Sequence, residues 1–523
     1  MEENTQIKNC SQCETEFYIT DKDLEFYEKI SPIFWWKKYL IPLPEICPDC
    51  SIQNKFTWRN DKKFYRIKIQ GKELISMYRP DTTWNIIESK TWWEQWYTAV
   101  EKEYDPDTSF FEQFWEVAKA TAHPHIITMD SENCDYTNFN GFCKDCYLCA
   151  AWNYSENLSY CYNAEKSKDC IDCLFVFQSE HCYELIHSSK CYNVSFSLHS
   201  ENCSNSSYLD DCIGCSDCYM CVWLENKKYH ILNKEYSKEE YSRKLEEMKK
   251  DHHSYHKQFV ELSKSTQTRD NYNFNSEECN WEYIIDSNNC NDCYIMSESQ
   301  DCKNVLNGFP HLSDSQRCCF SGENAELFYE TMWSGAWGYK NAFGLLILNN
   351  PERNYYCDYC INCKDCFGCS WLHNAQYCIL NKQYTKEQYE ALVPKIIERM
   401  KQDWEWWAFF SASLSPFGYN ETVANEYFPL SKKEAWKKWF NWSDYQAPFP
   451  KVEKIIPAEK LPDNISDIPD DILAWAIECE ITKKPFRIIK PELEFYRKHN
   501  LPIPKRHPDQ RYLDRMSLRH PRK

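Results

Sequence analysis

The chain has 523 residues, of which 42% are hydrophobic and 27% charged, so it can form several folded domains and is not an intrinsically disordered protein. Its formal net charge of −18 excludes general nucleic-acid binding over the whole surface. It has 31 cysteines, no apolar run long enough to span a membrane, and no secretory-signal pattern in residues 1–10. We therefore expect a cytoplasmic protein whose thiols bind metal or pack as small apolar groups.

Two C-x2-C motifs lie near the start of the chain, and their four cysteines are the predicted metal ligands: Cys10, Cys13, Cys47 and Cys50. Each motif turns tightly enough for two thiolates to face one ion, and four sulfurs form the tetrahedral shell that zinc prefers. Because four protein ligands leave no open position, we expect one structural Zn²⁺. Two metal-free cysteine pairs remain the alternative. The spacer predicts a helix over 21–30, capped by Thr20 and Asp23.

The next segment is rich in Trp and Phe. A capping box formed by Ser109 and Glu112 predicts the start of a helix. Its apolar residues recur at helical spacing, which predicts a buried face made of Phe110, Phe111, Phe114, Trp115 and Ala118.

A regular cysteine pattern follows. From Cys134 to Cys221 every spacing between successive cysteines is a multiple of three, and a period of 21 relates Cys149 to Cys170, Cys191 and Cys212. Self-similarity near 20 residues is typical of solenoid proteins. The intervening runs, such as 174–178 and 192–198, favour short strands and tight turns. We therefore predict stacked β coils.

This pattern ends at a predicted helix, and the whole arrangement occurs twice. The segment 221–241 recurs as 369–389, with an offset of 148. Capping boxes at Ser237 and Thr385 mark the same helix start in both copies. Helical spacing then predicts apolar faces made of Tyr241, Leu245 and Met248, and of Tyr389, Val393, Ile396, Met400 and Trp404.

Twenty-six cysteines lie in these two units, fourteen in the first and twelve in the second. Stacked coils would place them in interior ladders of free thiols, since free cysteine is among the most buried residue types. Additional zinc, an iron–sulfur cluster or disulfides between coils remain open, although a reducing cytoplasm disfavours the last.

The C-terminus resembles the N-terminal motif. Residues 479–496 align without gaps to residues 10–27, and residues 501–510 match 41–50. The four ligand positions are occupied here by Cys479, Thr482, His507 and Gln510. Two potential ligands are too few for structural zinc, so we expect a degenerate ribbon that keeps its packing without metal.

The last 41 residues, 483–523, are basic, with thirteen Lys or Arg and four Asp or Glu. Arginine suits phosphate recognition, which predicts a nucleic acid or another acidic partner for five residues: Arg506, Arg511, Arg515, Arg519 and Arg522. The alternative is that these arginines neutralise acidic groups of the chain itself.

These features predict an α+β protein with an N-terminal four-cysteine zinc ribbon, two tandem cysteine-rich β-solenoid units each followed by a capping helix, and a degenerate C-terminal ribbon. The predicted segments are a ribbon (1–64), an aromatic-rich helical linker region (65–127), two solenoid units with helices (128–270 and 271–412), a linker (413–470), and the degenerate ribbon with its basic tail (471–523).

No P-loop, dinucleotide-binding, HExxH or GxSxG motif is present, so the sequence indicates no catalytic activity, although a site assembled from distant residues would leave no such motif. Repetition without a catalytic constellation favours a zinc-binding interaction scaffold, with no membrane partner. A thiol-rich redox or metal-handling protein, with iron–sulfur or several zinc sites, is the alternative.

The combination of CxxC-x3-F-x-IT-x2-D-L-x-FY, CPxC, FFEQF, the C-x2-C series and ILNKxYxKExY is specific. It resembles the zinc-ribbon and cysteine-repeat proteins of ultra-small, candidate-phylum bacteria, over nearly the whole chain. The resemblance implies zinc binding by the four N-terminal cysteines and implies no activity. The C-terminal copy departs from the ribbon pattern.

Overall fold

The computed structural model describes residues 5–95, 98–250, 252–266, 269, 271–446 and 452–519. Its content of 24% helix and 31% strand agrees with the predicted α+β class. The chain forms two compact units, each discontinuous in sequence. Unit 1 combines residues within 1–125 and 269–444, and unit 2 combines residues within 126–268 and 445–520.

The described residues between 5 and 125 contribute short strands and four helices to unit 1. The predicted helix over 21–30 is confirmed, with Thr20 as its N-cap and a capping box closed by Asp23. The helix after Ser109 is also confirmed, and Phe110 and Phe114 of its apolar face are fully buried. The elements are β1 (Thr5–Asn9), β2 (Glu16–Thr20), α1 (Asp21–Ile30), β3 (Ile33–Phe34), β4 (Lys37–Lys38), α2 (Pro48–Phe56), β5 (Tyr65–Ile69), β6 (Lys72–Ser76), β7 (Ile86–Ile87), α3 (Ser89–Trp93), α4 (Phe110–Ala120) and β8 (His123–Pro124).

The first stack of parallel strands belongs to unit 2, and a helix pair follows it. Its last strand, β21, is antiparallel to β20. The elements are β9 (Thr128–Met129), β10 (Asn138–Gly141), β11 (Ala150–Asn153), β12 (Glu156–Ser159), β13 (Tyr162–Glu165), β14 (Lys168–Ile171), β15 (Leu174–Phe177), β16 (Tyr183–Ser189), β17 (Tyr192–Leu198), β18 (Ser204–Asp210), β19 (Tyr219–Val222), β20 (His230–Ile231), β21 (Lys234–Glu235), α5 (Lys238–Lys250) and α6 (His252–Ser265).

Partner residues in this stack are 12 positions apart, as for Tyr162 and Leu174 or Leu209 and Cys221. The predicted 21-residue period is therefore not the distance between neighbouring strands. From Asp130 to Leu232 every third residue has a positive φ, so the backbone bends after each three-residue segment. Four such segments make one 12-residue repeat, after which the chain pairs with the strand before it. Asn and Asp recur at these bends because they tolerate the left-handed conformation better than most residues.

The second stack belongs to unit 1 and is less regular. Its pairing offset is 12 between Trp281 and Cys293 and rises to 13 between Gln300 and Ser313. Gly322 and Gly335 pair within the 13-residue part at φ of 142° and 159°. A Cβ on Gly335 would lie 1.8 Å from the Gly322 carbonyl oxygen, so only glycine fits there.

The elements of this part of unit 1 include the predicted capping helix, whose capping box at Thr385 is confirmed. Its apolar face is buried up to Met400, but the helix ends at Gln402. Trp404, which helical spacing placed on this face, is 86% exposed. The elements are β22 (Trp281–Ile285), β23 (Cys293–Ser297), β24 (Gln300–Lys303), β25 (Leu312–Gln316), β26 (Ala325–Tyr329), β27 (Tyr339–Ala342), β28 (Cys378–Ile379), β29 (Lys382–Gln383), α7 (Lys386–Gln402), α8 (Val423–Tyr427) and α9 (Lys432–Lys437), with 3-10 turns at Ala412–Leu414 and Tyr419–Glu421.

The C-terminal segment returns to unit 2 and packs against the first stack. Ile477, Leu493 and Tyr496 share one apolar core with Tyr160 and Tyr183 of that stack. The elements are β30 (Ile455–Pro457), β31 (Ala476–Glu478), β32 (Pro485–Phe486), α10 (Lys490–Lys498) and α11 (Pro508–Ser517), with 3-10 turns at Ala458–Lys460, Ile465–Asp467 and Asp470–Ala474. None of the helices that the structure describes combines the length and the apolar character of a membrane span.

Candidate metal centre

The first cysteine pair lies in the turn between β1 and β2. The Cys10 N–H donates to the Thr15 carbonyl at 2.9 Å, and the Glu14 N–H donates to the Cys10 carbonyl at 2.9 Å. Glu14 has a φ of 64°, which lets the chain reverse directly after Cys13. Cys10 is buried, whereas Cys13 is exposed.

The second pair begins helix α2. Cys47 is its N-cap and accepts a hydrogen bond from the Cys50 N–H at 3.4 Å. Pro48 at the first helical position has no N–H to leave unpaired. Because a helix N-terminus carries partial positive charge, it stabilises a thiolate at Cys47.

The two pairs meet at one point. The sulfurs of Cys10, Cys13, Cys47 and Cys50 all lie within 4.8 Å of one another. The Cys13 and Cys47 sulfurs are 3.6 Å apart, and the Cys47 N–H donates to the Cys10 sulfur at 3.2 Å. A tetrahedral ion with bonds of about 2.3 Å requires sulfurs about 3.8 Å apart. The four residues therefore fit a tetrahedral metal ion.

The cysteines of this site shift one another's pKa. Contact with Cys50 lowers the pKa of the Cys47 thiol to about 7, and contact with Cys47 raises the pKa of the Cys50 thiol above its ordinary range. A metal ion binds thiolates and displaces the thiol protons, so metal affinity should rise with pH.

Residues of the second stack, outside the ribbon, contact the segment that carries Cys47 and Cys50. A guanidinium nitrogen of Arg317, in the second stack, donates to the carbonyls of Ile46 and Cys47 at 2.8 and 3.2 Å. Arg317 also pairs with Glu330 at 2.5 Å, and Glu330 pairs in turn with Lys55 of helix α2. The side chains of all three charged residues are almost completely buried. The contacts of Arg317 with Cys47 and of Glu330 with Lys55 left no local signal in the sequence because these partners are 270 and 275 residues apart.

The C-terminal copy has the backbone of the ribbon, but only two of its four ligand positions, Cys479 and His507, hold a possible ligand. The Cys479 N–H donates to the Lys484 carbonyl at 3.0 Å, which matches the bond that Cys10 makes in the first ribbon. Lys483 has a φ of 56° and corresponds to Glu14. His507 is the N-cap of α11, the position that Cys47 has in α2. No metal-binding group of three or more ligands is found among the described residues of this copy.

The interior cysteines of the two stacks are buried, apart from Cys134 and Cys279 at the start of each stack, which are half-buried. All 31 cysteines lie in the described part of the chain, and none is in a disulfide. The Cys161 sulfur donates to the carbonyls of Ser159 and Cys170 at 3.4 and 3.5 Å. The interior Ser155 makes the same two bonds, to the carbonyls two residues before and nine residues after it. Small side chains with one donor therefore satisfy the carbonyls at the bends.

The five predicted partner-binding arginines do not share one exposed surface. Arg511 and Arg515 are buried and pair with Asp172, which is itself fully buried. Arg506 pairs with Glu480 at 2.6 Å and with Asp514 at 2.8 Å. The half-buried Arg519 donates to the Met516 carbonyl, and Arg522 lies outside the described residues.

A second cluster of possible ligands was not predicted. Asp169, Glu180 and His181 lie half-buried on the surface of the first stack. The two imidazole nitrogens each lie 3.4 Å from one of the carboxylates. The 12-residue spacing of Asp169 and His181 would have indicated this contact, had the correct period been known.

No protein-family model matches the chain, and no curated protein is significantly similar to it. The resemblance to zinc-ribbon and cysteine-repeat proteins of candidate-phylum bacteria therefore stays a prediction.

Proposed function

We propose that the protein is a structural zinc-binding scaffold. The convergence of four cysteine sulfurs carries this proposal, since such a shell closes the metal off from substrate. In the proposal Zn²⁺ is bound by Cys10, Cys13, Cys47 and Cys50, and it fixes the ribbon in unit 1. The 31 free thiols favour a reducing compartment, the cytoplasm.

The two stacks are, in this proposal, β-solenoids with coils of 12 or 13 residues that present extended surfaces to a partner. The constant pairing offset of 12 and the positive φ at every third position of the first stack support this, as do the pairing offsets of 12 and 13 in the second stack. In a solenoid each coil contacts chiefly its neighbours. Stacked coils therefore form an extended surface, without needing a single large core.

Metal analysis tests the scaffold proposal. We expect one equivalent of zinc in the purified protein and its loss in Cys10→Ser/Cys13→Ser. The matched control is Cys479→Ser, which changes the equivalent position of the degenerate ribbon and should keep the zinc. Equal zinc in all three proteins would contradict the assignment of the site.

A polyanion such as RNA remains the proposed partner for the C-terminus, through Arg506, Arg519 and Arg522. The burial of Arg511 and Arg515 supports the alternative for those two residues, namely neutralisation of the chain's own Asp172. The test is RNA binding across a salt series by the full chain and by Arg519→Glu/Arg522→Glu. Phosphate contacts predict weaker binding by the variant and a steeper salt dependence of the parent. Equal binding by both would end this proposal.

A further inference from the structure

Three possible metal ligands converge on the first stack, within unit 2. One ligand atom from each of Asp169, Glu180 and His181 lies within 4.8 Å of the ligand atoms of the other two. Apart from the four cysteines of the ribbon, the described residues contain no other such group of three or more. Imidazole nitrogen and carboxylate oxygen together suit divalent transition-metal ions, so this donor set differs in kind from the thiolates of the ribbon.

The backbone of the stack holds these residues next to one another. Asp169 lies in β14, and His181 follows 12 residues later, between β15 and β16. The His181 N–H donates to the Lys168 carbonyl at 3.0 Å, and Lys168 forms a parallel bridge with Glu180. The side chain of Asn157, one repeat earlier, donates to Oδ1 of Asp169, while Oδ2 faces His181. A hydrogen bond of this kind orients a carboxylate ligand, so the site has its own supporting contact.

The contact between Asp169 and His181 differs from the next contact in the same column. Asn193 and Asn205, one and two repeats after His181, are joined by a side-chain hydrogen bond of 3.0 Å. Nδ1 of His181 is buried 3.4 Å from Oδ2 of Asp169 and makes no hydrogen bond to any described residue. A protonated imidazole would donate to a carboxylate at about 2.8 Å. Two ligands of one ion, with bonds of about 2.1 Å, lie about 3.0–3.4 Å apart, so the observed distance fits a shared metal ion better.

A fourth possible ligand comes from the C-terminal segment of unit 2. His499 is the C-cap of α10, and its ring centre lies 6.3 Å from that of His181. Its Nε2 is buried and has no hydrogen-bond partner among the residues that the structure describes. Two imidazoles on one ion have ring centres about 5 Å apart, so a small rotation of the His499 side chain would bring it to the ion. The C-terminus of a helix carries partial negative charge, which also favours a cation at this position.

We propose that Asp169, Glu180, His181 and His499 form a second metal site, which binds an exchangeable divalent transition-metal ion and joins α10 to the first stack. Two carboxylates and two neutral imidazoles balance the charge of a divalent ion, which avoids the cost of an unpaired charge in a half-buried site. Lys168 pairs instead with Glu156, at 3.2 Å. The Glu180 side chain is 46% exposed, so the ion exchanges with solvent more easily than one enclosed by four cysteines.

The experiment uses the full-length, zinc-loaded protein, from which a chelating resin has removed loosely held ions. Mn²⁺ is the probe, because it prefers oxygen and nitrogen ligands and should leave zinc on the cysteines. Loss of the electron paramagnetic resonance signal of free Mn²⁺ measures binding, and pulsed spectra detect nitrogen nuclei coupled to the bound ion. We expect one equivalent of Mn²⁺ per chain, coupled to imidazole nitrogen, without release of zinc.

Two variants locate the ion. His181→Asn introduces the residue that the next repeat has at this position, and it should weaken Mn²⁺ binding at least about tenfold. His499→Gln should also weaken binding and should reduce the coupled nitrogens from two to one. The matched control is His311→Asn, which changes a histidine of the second stack that also has a positive φ and lies 3.3 Å from Glu298. It should bind Mn²⁺ as the parent does. Equal affinity of the parent and either site variant would overturn the proposal.

The parent protein decides the matter if a variant does not fold. Failure to bind Mn²⁺, or bound Mn²⁺ without coupled nitrogen, would overturn the proposal, since carboxylates at the surface would explain the latter. Bound Mn²⁺ should also raise the hydrogen-exchange protection of α10, because the ion joins this helix to the stack, and unchanged protection would contradict that role. Mn²⁺ that enters only as zinc leaves would place it in the ribbon. The zinc content is measured separately, so these outcomes are independent of the scaffold proposal.

Discussion

Residues with a positive φ are concentrated at the bends of the two stacks, but two of them lie in a hairpin of the ribbon. Trp35 and Trp36 form the two-residue loop between β3 and β4 at φ of 47° and 65°. Asn-Gly is preferred in such hairpins because a positive φ costs it little. Both tryptophans are exposed, Trp36 to 99%. Little packing therefore offsets their backbone strain.

Replacing this pair by Trp35→Asn/Trp36→Gly should stabilise unit 1. Because Asn and Gly adopt a positive φ with less strain than Trp, we expect a rise of about 1–2 kcal/mol in the free energy of unfolding. Denaturant unfolding at neutral pH measures it. The control Trp436→Asn changes an exposed tryptophan of α9 that lacks a positive φ and should give no gain. A loss of stability in the double variant would show that the loop tryptophans contribute packing.

The buried Glu330 predicts a pH dependence in unit 1. Burial alone would raise the pKa of this carboxyl, but Lys55 and Arg317 hold it below its ordinary value of 4.5. A carboxyl whose pKa is lower in the folded state stabilises that state above pH 4.5. This stabilisation is lost as the pH falls below 4.5 through the lower pKa of the folded protein.

Glu330→Gln should therefore cost about 3–5 kcal/mol at pH 7, since two buried cations lose their partner. It should also remove the acid-dependent part of the stability, which unfolding at pH 7 and pH 4 would reveal. In the control, Glu28→Gln breaks the exposed pair with Lys38 and should cost at most about 1 kcal/mol. Similar losses in the two variants would contradict the account.

At the scale of elements, each ribbon-like module packs on a stack through its first helix. Asp23 of α1 accepts hydrogen bonds from Lys303 and Gln316 of the second stack. Glu492, the equivalent residue of α10, accepts one from Tyr160 of the first stack at 2.8 Å. The duplication in sequence therefore extends to how the modules pack, although only one copy keeps its ligands.

Helix α11 contributes buried charge instead of metal ligands. Arg511→Met would leave Asp172 and Glu492 short of a partner, so we expect a loss of about 3–5 kcal/mol in unit 2. Arg506→Met removes a half-exposed arginine from the same module and should cost about 1 kcal/mol or less. Hydrogen exchange of unit 2 amides compares the two variants. Equal protection in both would contradict a structural role for Arg511.

Several elements were predictable because their signals are local. Cap residues and apolar spacing identified α1, α4 and the helix after Thr385. The four cysteines of the N-terminal C-x2-C motifs converge as expected. Trp404 was assigned wrongly because helical spacing continued past the actual end of the helix. The contacts of Arg317 with Cys47 and of Arg511 with Asp172 join residues 270 and 339 positions apart, so they left no local signal.

The strand period was predicted wrongly for a different reason. Twelve and twenty-one are both multiples of the three-residue segment, so cysteine spacing alone cannot separate them. Cys149 lies beside Cys161, whose N–H donates to its sulfur at 3.3 Å, whereas the 21-residue period relates it to Cys170. Only the pairing of strands decides between the two periods.

At the scale of the whole molecule, the two units have separate apolar cores. Loss of zinc should therefore act within unit 1, where the ribbon and the second stack share one apolar core. We expect Cys47→Ser to reduce hydrogen-exchange protection of α2 and the turn before β2, while unit 2, with the first stack, keeps its protection. Loss of cooperative structure throughout the chain would contradict this separation.

In the proposed site, four cysteines hold one zinc ion. Zinc X-ray absorption on the protein as purified tests this site, because it counts and identifies the ligands. We expect a single zinc environment of four sulfurs at about 2.3 Å, with no nitrogen or oxygen ligand. A shell containing nitrogen or oxygen, or purified protein without zinc, would contradict it.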